Sequence, residues 1–201
     1  MVKRWLFVLA LVAGPVLADN GILLVAKPTL VDPNFQQAVV IVTRAQDGSS
    51  VGVILNRPLA THLADLAPSW PGAERYAQPL YAGGPVMREV VVALFAADEP
   101  PKDAAFAVLP NVYLTLHPRN IERLLANPGE RVRLFSGFAG WAPQQLEAEM
   151  EQDAWYALRA SESVLFRKDT SGLWRELVDR ASGGRAANDR ASTVARAILN
   201  P

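Results

Sequence analysis

Three segments of this chain set glycine or proline directly against an apolar run. They are residues 55–59 (LNRPL), 81–86 (YAGGPV) and 136–146 (SGFAGWAPQQL). At such places the backbone must turn sharply, or approach another segment closely, just where a strand ends. The three segments therefore predict a fold whose strands end in tight turns, and none of them by itself specifies a reaction.

Continuous apolar and β-branched runs predict the strands. Residues 21–26 (GILLVA), 39–43 (VVIVT) and 51–55 (VGVIL) indicate buried strands, and the polar linker 46–50 joins the last two as an antiparallel hairpin. Further strands are predicted at 90–95, 112–116, 131–135, 155–158 and 164–166, with a turn at 137–141.

Helix signals lie between some of these strands. They predict helices at 62–67 with Thr61 as N-cap, at 120–126 after Pro118, at the segment that Pro143 opens, and at 173–178. Hairpins with inserted helices favour an α+β class: one domain over residues 19–180, with a mixed, largely antiparallel sheet and flanking helices. Residues 181–201 are predicted to form a flexible tail or a weak terminal helix.

Composition excludes several classes of protein. The chain has 201 residues with 20 basic and 20 acidic side chains, so no net charge favours nucleic acid as a partner. It has no cysteine, which excludes a lipoprotein anchor, a disulfide framework, a thiol nucleophile and thiolate ligation of a metal.

The first eighteen residues have the pattern of a secretory signal peptide. A positive segment (MVKR) precedes an apolar segment at 5–14, and residues 15–18 (PVLA) carry small side chains suited to cleavage after Ala18. The apolar segment is shorter than the roughly 20 residues that span a bilayer. We therefore expect a periplasmic protein with no stable membrane anchor after cleavage.

The quoted segments, together with GILLVAKPTLVDPNF at 21–35 and the helix that follows Trp141, resemble the YqgE/AlgH family in the same order along residues 21–178. The resemblance implies a compact α+β fold with a barrel-like sheet and flanking helices, and it implies no settled activity. By name the family is linked to regulation of alginate production. Family members generally begin near the first strand, whereas this chain has a predicted export signal before it, and export would exclude a direct role at a promoter.

Two patterns could indicate an enzyme. Residues 48–52 match G-x-S-x-G, but that motif needs a helix after Ser50, where VGVIL predicts a strand, so a hairpin loop is favoured. His62 and His117 are the two histidines, and neither has a second metal ligand at helix or strand spacing. We predict no metal, no cofactor and no catalytic residue; a hydrolase that uses Ser50 or His117 stays an alternative.

Arg57 is the strongest candidate for a ligand contact. Its guanidinium, between Asn56 and a proline, could bond exposed carbonyls and hold a turn, or it could bind a phosphate or carboxylate beside the amides of Gly83 and Gly84. The structural alternative is favoured over the functional one, because such arginines are common determinants of a fold.

Gly140 and Trp141 complete the predicted ligand site. Trp141 and Trp155 flank an acidic helix, so we expect them to pack it against the sheet with each indole N–H bonded to one acceptor; they could instead line a ligand pocket. The sequence thus predicts a non-enzymatic binding or regulatory domain that acts through a partner protein or a small anionic ligand, and no nucleic acid is expected if the chain is exported. A transcription-associated role in alginate-type exopolysaccharide production is the alternative for a cytosolic chain.

Overall fold

The computed structural model describes residues 21–127 and 131–183 of the chain. The predicted signal peptide at 1–18 lies outside the described residues, as do residues 184–201 of the predicted tail. None of the helices in the described ranges is long and apolar enough to cross a membrane.

Nine strands of the described residues form one sheet. They are β1 Ile22–Ala26, β2 Val39–Arg44, β3 Ser50–Ile54, β4 Tyr81–Ala82, β5 Val86–Ala96, β6 Phe106–Leu109, β7 Val112–Thr115, β8 Val132–Trp141 and β9 Trp155–Arg159. The hydrogen-bonded order is β6-β7-β5-β8-β3-β2-β1-β9, and β4 joins β8 off this path. The β4–β8 pair is parallel and the other pairings are antiparallel.

The predicted hairpin is present. In β2 and β3, Val40 lies opposite Ile54 and Arg44 lies opposite Ser50. Alternate residues of β1 belong to different cores, with Leu23 packed in one and Leu24 in another. Because this part of the sheet is covered on both faces, its strands are apolar throughout instead of alternating with polar residues.

Five helices of the described residues cover the sheet. They are α1 Leu63–Leu66, α2 Pro118–Ala126, α3 Gln145–Glu151, α4 Glu162–Leu165 and α5 Leu173–Gly183. Leu177 of α5 belongs to the largest core, Leu146 of α3 packs on the face that carries Leu24, and Ile121 of α2 packs on a third cluster. Full burial of one such side chain contributes about 1.5–3 kcal/mol.

The sheet curves back on itself while its hydrogen-bonded path stays open. The Thr43 hydroxyl of β2 donates to the Ala107 carbonyl of β6, a strand at one end of that path, at 2.8 Å. A Cβ atom at Gly21, just before β1, would overlap the Val108 carbonyl oxygen. The predicted α+β class with a mixed, largely antiparallel sheet and flanking helices is confirmed.

Some local predictions are wrong. Residues 164–166 are not a strand: they overlap α4, where the amides of Val164 and Leu165 both bond the Ser161 carbonyl at 3.0 Å. Three apolar residues are too few to distinguish a strand period from a helix period. Strand β6 was not predicted. The N-cap of α1 is His62, not Thr61, and the His62 amide donates to the Asp65 carboxylate at 3.1 Å.

The segment 137–141 is strand and not a turn. It continues β8, with Gly137 at a φ of 72° beside a shift of register in β5 between Val86 and Val91. Glycine here permits a close approach between backbones within the sheet. Helix α5 continues to Gly183, so the first three residues of the predicted terminal segment 181–201 belong to this helix.

Candidate functional site

A short turn between β1 and β2, residues 32–37, is the centre of the candidate site. The Asp32 carbonyl accepts from the amides of Phe35 at 3.0 Å and Gln36 at 2.7 Å. The Asp32 carboxylate accepts from the Asn34 amide at 2.7 Å. Aspartate folds the backbone this way because its short side chain mimics a turn bond. The turn ends at Gln37, whose φ of 56° is uncommon for a residue with a side chain.

The Arg57 side chain reaches this turn from the segment that follows β3. Its Nη1 donates to the Asn34 carbonyl at 2.6 Å and its Nη2 to the Gln36 carbonyl at 3.0 Å. Half-burial lowers the pKa of Arg57, and the negative charge of Asp32 opposes that shift. Among the described residues, no carboxylate forms an ion pair with Arg57. The guanidinium therefore holds the turn through neutral carbonyls.

Asn56 fixes the end of the same turn. Its Oδ1 accepts from the Val39 amide and its Nδ2 donates to the Gln37 carbonyl, both at 2.9 Å. The side-chain amide thus replaces a backbone partner where β2 begins. Asn56 and Arg57 bind neighbouring parts of one turn, which is the structural role that the sequence favoured for Arg57.

Gly83 and Gly84 lie elsewhere, against β8. The Gly83 amide donates to the Ser136 carbonyl at 2.9 Å, and its carbonyl accepts from the Ile54 amide at 2.8 Å. A Cβ atom at Gly83 would overlap the carbonyl oxygen of Gly137, and one at Gly84 would overlap the carbonyl of Phe138. The close backbone approach expected at these glycines is present, and the Gly83 amide is used within the sheet.

The backbone of Arg57 lies close to the two glycines, as predicted, but its guanidinium does not bond to them. The Arg57 carbonyl accepts from the Ala82 amide at 2.8 Å, next to Gly83. Its guanidinium bonds Asn34 and Gln36 instead. A site shared by the Arg57 side chain and the Gly83 amide is not formed in this arrangement, and the predicted ligand contacts of both residues stay predictions.

Trp141 is buried and belongs to an aromatic cluster. Its indole N–H donates to Glu149 Oε2 at 3.1 Å, and the indole N–H of Trp155 donates to the same oxygen at 3.0 Å. The Phe35 ring stacks on Trp141 with centroids 5.6 Å apart and meets Trp155 edge-on, also at 5.6 Å. The expectation that each indole finds an acceptor and packs the acidic helix on the sheet is confirmed. Gly140 is exposed beside Trp141.

The turn at 32–37 therefore connects three of the predicted site residues, Asn56, Arg57 and Trp141. Gly83, Gly84 and Gly140 do not contact it through any hydrogen bond of the described residues. Sequence reasoning missed Phe35, although an aromatic residue inside the polar segment DPNFQQ is a signal that it packs against something.

Sequence reasoning also missed Arg133, which is 4% exposed. Its Nη1 and Nη2 donate to the carbonyls of Leu165 at 2.9 Å and Leu55 at 2.7 Å. The guanidinium carbon lies 3.9 Å from the ring centroid of Tyr81, a cation–π contact. Burial lowers the pKa of Arg133. The signal was a charged residue inside the apolar strand β8.

Ser50 and His117 do not form a catalytic pair. Ser50 lies in β3 opposite Trp141, while His117 precedes α2 just after β7. Strands β5 and β8 separate β3 from β7 in the sheet order. His117 Nδ1 has no hydrogen-bond partner among the described residues, so it is not bonded to Ser50. The residue after Ser50 continues a strand, as the sequence favoured.

A further polar cluster lies beside α2. Asp103 accepts from Arg119 at 2.9 Å and from Arg123 at 2.6 Å, and these contacts hold its pKa below the usual value. Nearby, His117 Nδ1 is buried with no hydrogen-bond partner among the described residues. Over the same residues, no group of three or more histidine or acidic side chains is placed to hold a metal ion.

The comparisons with known proteins agree on one family. Residues 23–186 match the model described as AlgH-like, DUF179. A UPF0301 protein of Thermobifida fusca is 35% identical over 178 residues, which cover 83% of this chain and 89% of that protein. A UPF0301 protein of Chlorobaculum tepidum is 33% identical, with 82% and 87% covered.

Two solved structures show the same fold. The solution structure of the AlgH protein from Pseudomonas aeruginosa matches with a TM-score of 0.66 and 23% identity, covering 86% of this chain and 93% of that one. A crystal structure of a Corynebacterium diphtheriae protein matches with a TM-score of 0.62 and 24% identity, covering 81% and 86%. At these identities the likeness concerns the fold alone.

Proposed function

The chain belongs to the AlgH-like DUF179 family, and we propose that it is a non-enzymatic binding or regulatory domain that acts through a small anionic ligand or a partner protein. The UPF0301 names of its relatives state no activity, so the proposal depends on the chain's own residues. Its ligand is an oxyanion, a phosphate or a carboxylate, bound at Arg57.

The Arg57 guanidinium is the observation that carries this proposal. It is half-buried in the segment that follows β3, and the partners of its terminal nitrogens are two neutral carbonyls. A guanidinium forms its strongest hydrogen bonds, often two in parallel, with phosphate and carboxylate groups. An oxyanion that reaches Arg57 would thus be a stronger partner than the carbonyls that it now holds.

Thermal unfolding in inorganic phosphate or succinate, at matched ionic strength, tests the proposal. We expect each anion that binds to raise the midpoint of the full chain, because a ligand that binds only the folded state stabilises it. Arg57→Gln keeps one N–H donor group on a shorter side chain and removes the charge, and Arg57→Ala removes both. Both variants should lose the anion-dependent rise.

Arg75→Ala is the matched control, since Arg75 is exposed and contacts Glu74 at 3.7 Å. It should keep the full response to the anion. An equal response in Arg57→Gln would overturn a site at Arg57. Phosphate and succinate separate the two ligand sources, because a site that prefers one of them will show the larger rise with it.

Export is a second part of the proposal, and it is supported by the residue pattern at 1–18. Cell fractionation with sequencing of the mature N-terminus tests it. A periplasmic protein that begins at Asp19 is expected; a cytosolic chain that retains Met1 would contradict export and return the transcription-associated alternative to consideration.

A further inference from the structure

We propose that the turn at 32–37 is a latch that an oxyanion at Arg57 opens, and that its opening lifts Phe35 from Trp141. This inference rests on the proposed oxyanion ligand and adds how its binding would be transmitted through the protein. It joins the two parts of the candidate site, the guanidinium and the aromatic cluster, which both contact the turn.

The turn and an oxyanion compete for the same group. The carbonyls of Asn34 and Gln36 each accept one hydrogen bond from a terminal nitrogen of Arg57, and each of these nitrogens carries a second N–H. Asp32 adds a negative charge close enough to act on the pKa of the guanidinium. An oxyanion that binds end-on to the guanidinium, in the place of the two carbonyls, displaces them, and the charge of Asp32 repels it. Its binding is therefore favoured when the turn moves away.

Phe35 moves with the turn because of its position in the chain. It is the residue between Asn34 and Gln36, so displacement of the two carbonyls on either side also displaces its backbone. Its ring is held by the stack on Trp141 and the edge contact with Trp155. Whatever separates the turn from Arg57 must therefore disturb the packing of both indoles.

The end of the turn provides a limit to the movement. Gln37 has a left-handed backbone with a φ of 56°, a conformation that costs energy for a residue other than glycine. After it, the Asn56 amide holds the Gln37 carbonyl and the Val39 amide. We expect the released segment to end here, so that β2 and the sheet stay in place.

Reciprocity gives the first quantitative test. If the oxyanion weakens the contact of Phe35 with Trp141, then loss of that contact must strengthen oxyanion binding by the same factor. An aromatic pair contributes enough beyond its buried area to correspond to a roughly three- to ten-fold change in affinity. Phe35→Ala should therefore bind inorganic phosphate about three to ten times more tightly than the parent chain. Phe35→Leu, which keeps apolar volume, serves if the alanine variant does not fold.

The indole N–H signals in a two-dimensional ¹H–¹⁵N spectrum give the second test. On addition of inorganic phosphate to the full chain, the signals of Trp141 and Trp155 should shift with the dissociation constant found by thermal unfolding. Trp70 is an internal control, because it packs on the cluster of Ile121, whereas Phe35, Trp141 and Trp155 belong to the core of Leu146. Succinate in place of phosphate repeats the test for a carboxylate.

The outcomes separate the latch from the ligand. Arg57-dependent binding with unmoved Trp141 and Trp155 signals, and with unchanged affinity in Phe35→Ala, would overturn the latch and leave the ligand site standing. If neither phosphate nor succinate binds, the ligand and the latch both fail. Shifts of Trp141 and Trp155 together with tighter binding in Phe35→Ala would support the latch.

Discussion

The ring of Phe35 stacks on the indole of Trp141, with centroids 5.6 Å apart and planes inclined by 25°. This contact joins the turn after β1 to the last residue of β8, in the same core as Leu146 of α3. A loop residue thus completes a core that strands and a helix otherwise build.

Truncation of Phe35 should destabilise the domain. Phe35→Ala removes the stack and the edge contact with Trp155, and we expect a loss of about 2 kcal/mol, below the usual cost of a fully buried phenylalanine because Phe35 is partly exposed. Urea unfolding measures it. Val31→Ala is the control, since Val31 is 84% exposed and should change stability by less than about 0.5 kcal/mol. Equal effects of the two substitutions would contradict the role given to Phe35.

Glu149 should matter more than its acidic neighbours on α3. Glu149→Ala leaves the indole N–H groups of Trp141 and Trp155 without their acceptor, at a cost of about 1–3 kcal/mol for each group that stays dry. Urea unfolding gives the total. Glu151, an exposed residue at the end of the same helix, is the control, and its alanine variant should be close to neutral. A Glu149→Ala variant with unchanged stability would mean that water replaces the carboxylate as the acceptor of the two indole N–H groups.

Gly83 should not tolerate a side chain. In Gly83→Ala the added methyl group would overlap the Gly137 carbonyl oxygen, so two strands must separate, and we expect a loss of 3 kcal/mol or more, on the order of other overpacked sites. Gly183→Ala is the matched control because nothing lies within 4 Å of its Cβ position at the end of α5. Soluble yield and circular dichroism compare the two. A Gly83 variant as stable as the parent would show that β4 and β8 can separate without cost.

Replacement of Arg133 tests a buried charge that the sequence did not reveal. Arg133→Met keeps much of the volume but leaves the Leu55 and Leu165 carbonyls without their donor, and we expect a loss of about 2–4 kcal/mol in urea unfolding. Arg131→Met provides the comparison. Arg131 contacts Glu162 on the surface at 3.1 Å, where a pair contributes about 0–1 kcal/mol. A stabilised Arg133→Met would mean that desolvation of the guanidinium outweighs its bonds.

The domain should lose stability in strong alkali because the buried Tyr76 hydroxyl ionises. Burial raises the pKa of Tyr76 to about 12, while its hydroxyl accepts from the Leu134 amide at 3.0 Å. The unfolded chain releases this proton near pH 10, so the folded state binds more protons between about pH 10 and 12 and loses stability as pH rises. The free energy of unfolding should fall by about 2–3 kcal/mol in total, which corresponds to a pKa difference of about two units between the folded and unfolded chain. Urea midpoints between pH 9 and 11.5 should fall less steeply in Tyr76→Phe; equal slopes would contradict this assignment.

The hairpin of β2 and β3 follows from sequence because its signals are local. Two β-branched runs flank a short polar linker, and both strands are buried on both faces. Pro118 likewise predicts the start of α2, where its missing amide proton costs nothing. Such features depend on a few neighbouring residues.

The candidate site could be predicted only in part, because it depends on distant contacts. Residues 56 and 57 were identified, but nothing local indicates that the guanidinium turns to the carbonyls of Asn34 and Gln36. Gly137 was misinterpreted for the same reason. Its left-handed backbone permits contact with the irregular part of β5 inside a strand, and from sequence alone this cannot be distinguished from a turn.

The pairing of β1 with β9 determines when the core can close during folding. Ile22 lies opposite Arg159, and β1 is hydrogen-bonded on its other side to β2. As the chain emerges from its N-terminal end, β1 can pair with β2 at once, but β9 follows only after most of the domain, and α5, which packs beside β1 in the largest core, follows later still. The core therefore closes only after α5 has emerged, and until β9 pairs with it the outer edge of β1 lacks its hydrogen-bond partners.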